Sequence, residues 1–365
     1  MRYRLRTYNK GIIMEIIRWI GNETTLHTAI AGFPAIILLL LIVICLIILV
    51  KGADWMIDGV VSLARRTGLS RIVIGATIIS LGTTTPEAFV SVMAAWMGNP
   101  GLALGNGVGS IIADTGLIFG LTCLLCSVPI NRYILNRTGW VQVGAATLLV
   151  IISVIVWIIA PEKPVLNRWI GIFFLLLLIG YLYATYKWSR QGESVCANET
   201  ETTEEKAMPL AQCWLMVIGG LILVVSSARV LVPCTTEIAS RIGVPDDIIA
   251  ATLVAFGTSL PELITAITAI RKECADIVVG NVVGADVLNC LFVIGAAAAA
   301  KPLTITQNFF TFHFPAMLII LFSFRIFIFM NRDNRFRRWQ GVWLLSIYVI
   351  YIALQYSLKL GTSFG

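Results

Sequence analysis

The chain repeats itself at a fixed offset. "LGTTTPEAF" (81–89) and "FGTSLPELI" (256–264) set Pro86–Glu87 and Pro261–Glu262 175 residues apart. Without a gap, the same offset maps Ala64, Gly68, Ala76, Thr77, Gly82, Thr83, Gly105, Asn106, Val108, Gly109 and Gly120 onto Ala239, Gly243, Ala251, Thr252, Gly257, Thr258, Gly280, Asn281, Val283, Gly284 and Gly295. Agreement this dense, concentrated on Gly, Pro, Glu and Asn, marks an internal duplication.

Each copy lies in apolar sequence. Of the 365 residues 58% are hydrophobic and only 13% charged, with mean hydropathy +0.88, which leaves too little polar surface for a soluble domain of this size. Apolar runs of membrane-spanning length predict ten spans: 34–62, 72–98, 102–125, 139–160, 168–187, 210–233, 246–271, 277–299, 308–330 and 339–358. Trp96, Trp140, Trp169, Trp188, Trp214 and Trp339 lie near span ends, as an interfacial belt requires. The expected protein is an all-α, multi-pass integral membrane protein of about ten transmembrane helices, placed in the cell membrane.

The two copies are separated by five spans, an odd number, so equivalent helices cross the bilayer in opposite directions. That is an inverted-topology repeat, an architecture used by secondary transporters. The expected organisation is a basic tail over 1–33, a first five-helix repeat over 34–186 and a polar, acidic linker over 187–209. A second five-helix repeat over 210–358 and a short tail over 359–365 follow. No signal peptide is expected ahead of the first span. In the tail, "GIIMEIIRWI" (11–20) is too short and too charged to span and reads as an interfacial helix. The linker acids Glu199, Glu201, Glu204 and Glu205 read as a solvated linker rather than a regulatory cation site.

The net charge of +7 follows the positive-inside rule rather than pointing to nucleic acid. If the loop at 63–71 is cytoplasmic, so are those at 126–138, 187–209, 271–272 and 331–338. Together these carry fourteen Arg and Lys against six on the other side (Lys163, Arg168, Arg229, Arg241, Lys301 and Lys359). The tail dissents, with Arg2, Arg4, Arg6, Lys10 and Arg18 on the poorer side. Cys123 and Cys126 form a CxxC in an apolar helix with nothing to generate a thiolate, so packing is their expected role. His27 and His313 are the only histidines and lie far from the Glu motifs, which removes the raw material for zinc chemistry.

The polar residues at mid-depth carry the functional signal. Glu87 and Glu262 lie near the centres of their spans, and Asp114 and Asn289, themselves a repeat pair, centre the next ones. A bare charge there costs on the order of 3 kcal/mol on insertion scales, so such residues are functional candidates. Thr83, Thr84 and Glu87 share one helical face, and Thr258, Ser259 and Glu262 repeat it. Asn106, Ser110 and Asp114 step by four along the next helix, as do Asn281, Ala285 and Asn289. Pro86 and Pro261 have no N–H for the carbonyls of Gly82 and Gly257, so a broken helix is expected to present free carbonyls. Carboxylate, hydroxyl, amide and carbonyl oxygens with no soft ligand suit hard cations such as Ca²⁺ and Na⁺.

"GTTTPE…GNGVGSIIAD" and "GTSLPE…GNVVGADVLN" resemble the paired alpha-repeats of sodium/calcium exchangers, in the cation/calcium antiporter superfamily. The resemblance covers most of residues 35 to 358. It implies an antiporter, not an enzyme, exchanging Ca²⁺ for Na⁺ by alternating access, with no cofactor beyond the transported ions. It also implies a monomer working in the lipid bilayer and no nucleic-acid partner. Glu87 and Glu262 would be the shared Ca²⁺ and Na⁺ ligands, Thr83 and Thr258 would offer carbonyls, and Thr84, Ser259 and Ser110 would line flanking Na⁺ sites. Asp114 and Asn289 would stand at the centre, with Asn106 and Asn281 one step away. Ala285 departs from the usual Ser, and Asp286 from the usual Asn. The competing readings are a proton/calcium exchanger of the same architecture and an intramembrane carboxylate enzyme.

Overall fold

A computed structural model describes residues 30–67, 71–196, 208–242, 259–331 and 333–357. Among these, ten principal helices follow one another: α1 (Ala35–Thr67), α2 (Arg71–Met97), α3 (Pro100–Leu125), α4 (Arg132–Ile159), α5 (Arg168–Cys196), α6 (Leu210–Arg241), α7 (Leu260–Arg271), α8 (Ala275–Ala300), α9 (Phe309–Met330) and α10 (Arg338–Ser357). All but α7 and α10 are long and apolar enough to cross a membrane. The first half of the span read at 246–271 lies outside the described residues, so only its Leu260–Arg271 part is seen as α7. Arg338, Gln340 and Gln355 dilute the hydropathy of α10, which at 20 residues is still of spanning length.

The duplication is a structural one. Helices α1 and α6 begin at Ala35 and Leu210, and α3 and α8 run Pro100–Leu125 and Ala275–Ala300, each boundary again 175 residues from its counterpart. Both α3 and α8 contain a π-helical stretch at the same repeat position, Asp114–Phe119 and Asn289–Val293. Loop pairings show the inversion. A two-stranded antiparallel sheet joins β1 (Val165–Leu166) after α4 to β2 (Leu303–Thr304) after α8. A matching bridge joins Pro129, after α3, to Arg335, after α9. Each pairing ties one repeat to the other. The first gathers the exits of two even-numbered helices at one face, and the second gathers the exits of two odd-numbered helices at the opposite face.

Close approach of the two halves depends on small residues. Helix α1 packs along α6. A Cβ on Gly220 would lie 2.5 Å from the Gly52 carbonyl oxygen and 2.6 Å from the Met56 nitrogen. Helix α2 lies as tightly against α8, where a Cβ on Gly284 would meet the Ala76 carbonyl at 2.5 Å. Nearly all of α8 is buried, which makes it the central post of the bundle, whereas α1 and α5 present exposed Leu and Ile along their lengths.

Three expectations are revised by the structure. Pro86 does not break its helix: α-helix runs from Ser80 through to Met97, and the departure from α geometry is a π-helical stretch a turn earlier, Gly75–Ile79. Helix α7 does begin at the motif, with Ser259 before its first turn and Pro261 within it. Helix α5 runs on to Cys196, past the expected end of the first repeat, and α6 runs on to Arg241. Arg229 lies inside α6, with its guanidinium 5.6 Å from the Phe89 ring. The tail over 11–20, His27 and the linker acids lie outside the described residues.

Candidate cation site

Helices α2, α3, α7 and α8 touch one another in the middle of the bundle. They bring together the sequence-predicted residues that the structure describes. Thr83, Thr84, Glu87, Ser110, Asp114, Ser259, Glu262, Asn281 and Asn289 are all buried, and Thr258 lies outside the described residues. Asn106 is half-buried and turned to support: its Nδ2 donates to the Glu87 carbonyl at 3.2 Å and to Ser91 Oγ at 2.9 Å. Its repeat partner Asn281 is 1% exposed, and its Oδ1 accepts no hydrogen bond.

The two repeats meet directly at their equivalent residues. Asn289 Nδ2 donates to Asp114 Oδ2 at 3.3 Å, a contact between positions 175 apart. Both residues open their π-helical stretches, where the hydrogen-bond ladder shifts register and one side chain is re-aimed. The Thr83 hydroxyl of α2 lies beside the Glu262 carboxylate of α7, and Glu87 is within electrostatic reach of both Glu262 and Asp114.

What distinguishes this region is the number of buried oxygens that accept nothing. Thr84 Oγ1, both carboxylate oxygens of Glu87, Asp114 Oδ1, Glu262 Oε2, Asn281 Oδ1 and Asn289 Oδ1 have no hydrogen-bond partner. A folded interior normally satisfies its polar groups, and an orphaned buried acceptor costs about 1–3 kcal/mol, more when charged. These atoms, drawn equally from both repeats apart from Thr84, form a surplus of acceptors with no donors. A cation supplies what they lack. Among the described residues no three His, Cys, Asp or Glu side chains form a metal cage by themselves. Beside the carboxylate oxygens, the unpartnered set includes the neutral oxygens of Thr84, Asn281 and Asn289.

Two polar residues escaped the sequence reading. Gln142 of α4 and Thr115 of α3 are buried against Asp286 of α8. Gln142 was visible, with Thr147, as a polar residue in the apolar run "WVQVGAATLLV", but nothing in the repeat pointed to α4. At one face, a cavity of about 750 Å³ opens between the loops after α3, α7 and α9, lined among others by Arg71, Cys126, Asn131, Glu273, Asp276 and Asn334. Arg71 Nε and Asp276 Oδ2 pair across the two repeats beside it at 2.9 Å.

The chain and its fold are similar to known proteins. An uncharacterized membrane protein of Methanocaldococcus jannaschii is 32% identical over 323 residues, covering 87% of this chain and 96% of its own length. The sodium/calcium exchanger MaX1 of Methanosarcina acetivorans is 27% identical over 342 residues, covering 86% of this chain and 97% of its own. Among solved structures, the sodium-calcium exchanger NCX_Mj soaked with 2.5 mM Na⁺ and 10 mM Sr²⁺ superposes with TM-score 0.73 at 28% identity, over 88% of this chain and 99% of that one. The family model "Sodium/calcium exchanger protein" matches residues 37–187 and 213–357, one stretch in each repeat. The protein is a multi-pass membrane protein of the sodium/calcium exchanger family, a family of cation/calcium antiporters.

Proposed function

We propose that this protein exchanges Ca²⁺ for Na⁺ by alternating access, with Glu87 and Glu262 as the ligands both ions share. The observation that supports it is the surplus of unpartnered buried oxygens supplied by both repeats. Two glutamates facing one another from inverted helices neutralise one Ca²⁺. Asp114, hydrogen-bonded to Asn289, adds a third carboxylate that several Na⁺ ions can neutralise and one Ca²⁺ cannot. Competition for the same carboxylates then couples the two fluxes, because the site is stable in the membrane only when its charge is compensated.

The coupling ion follows from the neutral ligands. A proton needs only a carboxylate, whereas Thr84, Ser110, Ser259, Asn281 and Asn289 are useful to an ion that must be coordinated. Backbone carbonyls near Thr83 and Thr258, and the amide of Asn106 holding the Glu87 turn, complete the proposed shell. MaX1 and NCX_Mj are both named as sodium/calcium exchangers, in keeping with this reading.

The test is Ca²⁺ uptake by proteoliposomes loaded with Na⁺. Uptake should begin when external Na⁺ is removed and survive collapse of any pH gradient. Uptake that ignores Na⁺ and follows an imposed pH gradient makes the protein a proton/calcium exchanger.

A further inference from the structure

Asp286 stands one residue off the ligand face of α8, next to Ala285, which is fully buried and offers no side-chain oxygen. It is 2% exposed, yet it is not aimed at the Glu pair. One of its carboxylate oxygens, Oδ2, accepts two hydrogen bonds, one from the Thr115 hydroxyl of α3 and one from Gln142 Nε2 of α4 at 2.5 Å. Gln142 Nε2 also reaches Thr115 Oγ1 at 3.4 Å, so the three side chains form a closed triangle between three helices. The remaining oxygens of this triangle, Asp286 Oδ1 and Gln142 Oε1, are buried and accept nothing.

Two donors converge on Oδ2, and hydrogen bonds of this kind favour the carboxylate form, which burial without a compensating charge opposes. A buried anion requires a counter-charge. None of the ion pairs among the described residues involves Asp286, and the ionisable groups that feel its charge, Asp114 and Cys290, are not cations. The open oxygens therefore present one carboxyl oxygen and one amide oxygen, with no cationic side chain paired to them among the described residues. The π-helical stretch of α3 begins at Asp114, immediately before Thr115, and such a stretch leaves a backbone carbonyl outside the regular ladder.

We propose that Asp286, Gln142 and Thr115 form a second cation site, for one monovalent alkali ion, beside the Asp114–Asn289 pair. A single carboxylate with neutral oxygens matches a monovalent ion, whereas a Ca²⁺ site of this depth needs more carboxylate charge. Asp286 is its charged ligand, Gln142 Oε1 its neutral one, and Thr115 the residue that fixes the carboxylate. The identity of the ion as Na⁺ rests on the exchanger reading above.

The test is equilibrium binding of ²²Na⁺ to the purified full-length protein, with each variant first shown to be monodisperse. Asp286→Asn should bind one Na⁺ fewer per chain than the unaltered protein. Gln142→Met, which keeps the charge and the volume, should raise the Na⁺ concentration for half-saturation of one site about tenfold, the usual scale for disturbing the shell of a bound ion. Asp276→Asn, on the same helix but paired with Arg71 at its end, should change neither value. In Na⁺-loaded proteoliposomes, Asp286→Asn should lower the steepness of the Na⁺ dependence of Ca²⁺ uptake by about one ion. An unchanged Na⁺ count and half-saturation in Asp286→Asn overturns the site, as does a variant that shifts only the pH dependence of uptake. If the unaltered protein binds this Na⁺ but takes up Ca²⁺ without regard to Na⁺, the exchanger reading fails and the site stands.

Discussion

Asn289 and Asp114 are the same position in two copies of one sequence, and they are hydrogen-bonded to each other, Nδ2 to Oδ2 at 3.3 Å. A residue can touch its own repeat partner only where the pseudo-two-fold axis passes between them. The contact therefore locates that axis inside the protein, in the cluster of unpartnered oxygens. It also shows how the copies have diverged: one keeps the acid and the other the amide, so the pair forms a bond where two acids would repel.

This pairing predicts an exchange experiment. Asp114→Asn removes one carboxylate and should reduce Ca²⁺ transport about tenfold, since affinity for hard cations follows ligand charge. Adding Asn289→Asp moves the acid to the other side of the axis and should recover a substantial part of the flux. A double variant no better than Asp114→Asn alone would show that the two positions are not equivalent about the axis. The measurement is initial ⁴⁵Ca²⁺ uptake in vesicles, normalised to inserted protein.

Glu87 and Glu262 carry the larger effect. Glu→Gln at either keeps size and burial and deletes the anion. Ca²⁺ transport should fall on the order of a hundredfold or more, because charge count sets Ca²⁺ affinity over decades. The proteins should still insert and purify normally, since a neutral side chain is easier to bury. Near-normal flux in both single variants would remove the glutamates from the site.

Sidedness is testable by labelling. The loops after α1, α3, α5, α7 and α9 carry the cationic excess and are expected to be cytoplasmic. In single-cysteine proteins, a membrane-impermeant maleimide applied from outside should modify Lys163→Cys, in the loop after α4. It should not modify Cys126, which lines the cavity between the loops on the opposite face. The reverse pattern would turn the protein over in the membrane.

The contact of α1 with α6 gives a stability prediction. Gly220→Ala puts a methyl group 2.5 Å from the Gly52 carbonyl, against backbone that cannot rotate away. Overpacking of that kind costs about 1–3 kcal/mol, and the thermal midpoint in detergent should drop accordingly. Gly144→Ala, with nothing within 4 Å of the added carbon, should leave it unchanged.

The order of residues along the chain was enough to establish the membrane class and the inverted duplication, and it picked out most of the residues that the fold gathers in the candidate site. Those features are carried by composition, by span-length apolar runs and by an offset in residue number, and all of them can be counted along a string of letters. Glu87, Glu262, Asp114 and Asn289 could be read as mid-depth residues because a polar group at the middle of an apolar span is too costly to keep without a function. Folding settled what depends on contacts between distant segments. Pro86 sits in an unbroken helix, and a proline in a sequence does not say whether the chain around it breaks. Asn106 and Asn281 look alike in the repeat, but one braces Glu87 and the other leaves its oxygen open. Asp286 read as a stray acid off the ligand face until Gln142 of α4 and Thr115 of α3 were found on one of its oxygens. Those partners lie 144 and 171 residues away. No periodicity links them, because side chains that meet across a bundle are brought together by helix packing and not by spacing along the chain.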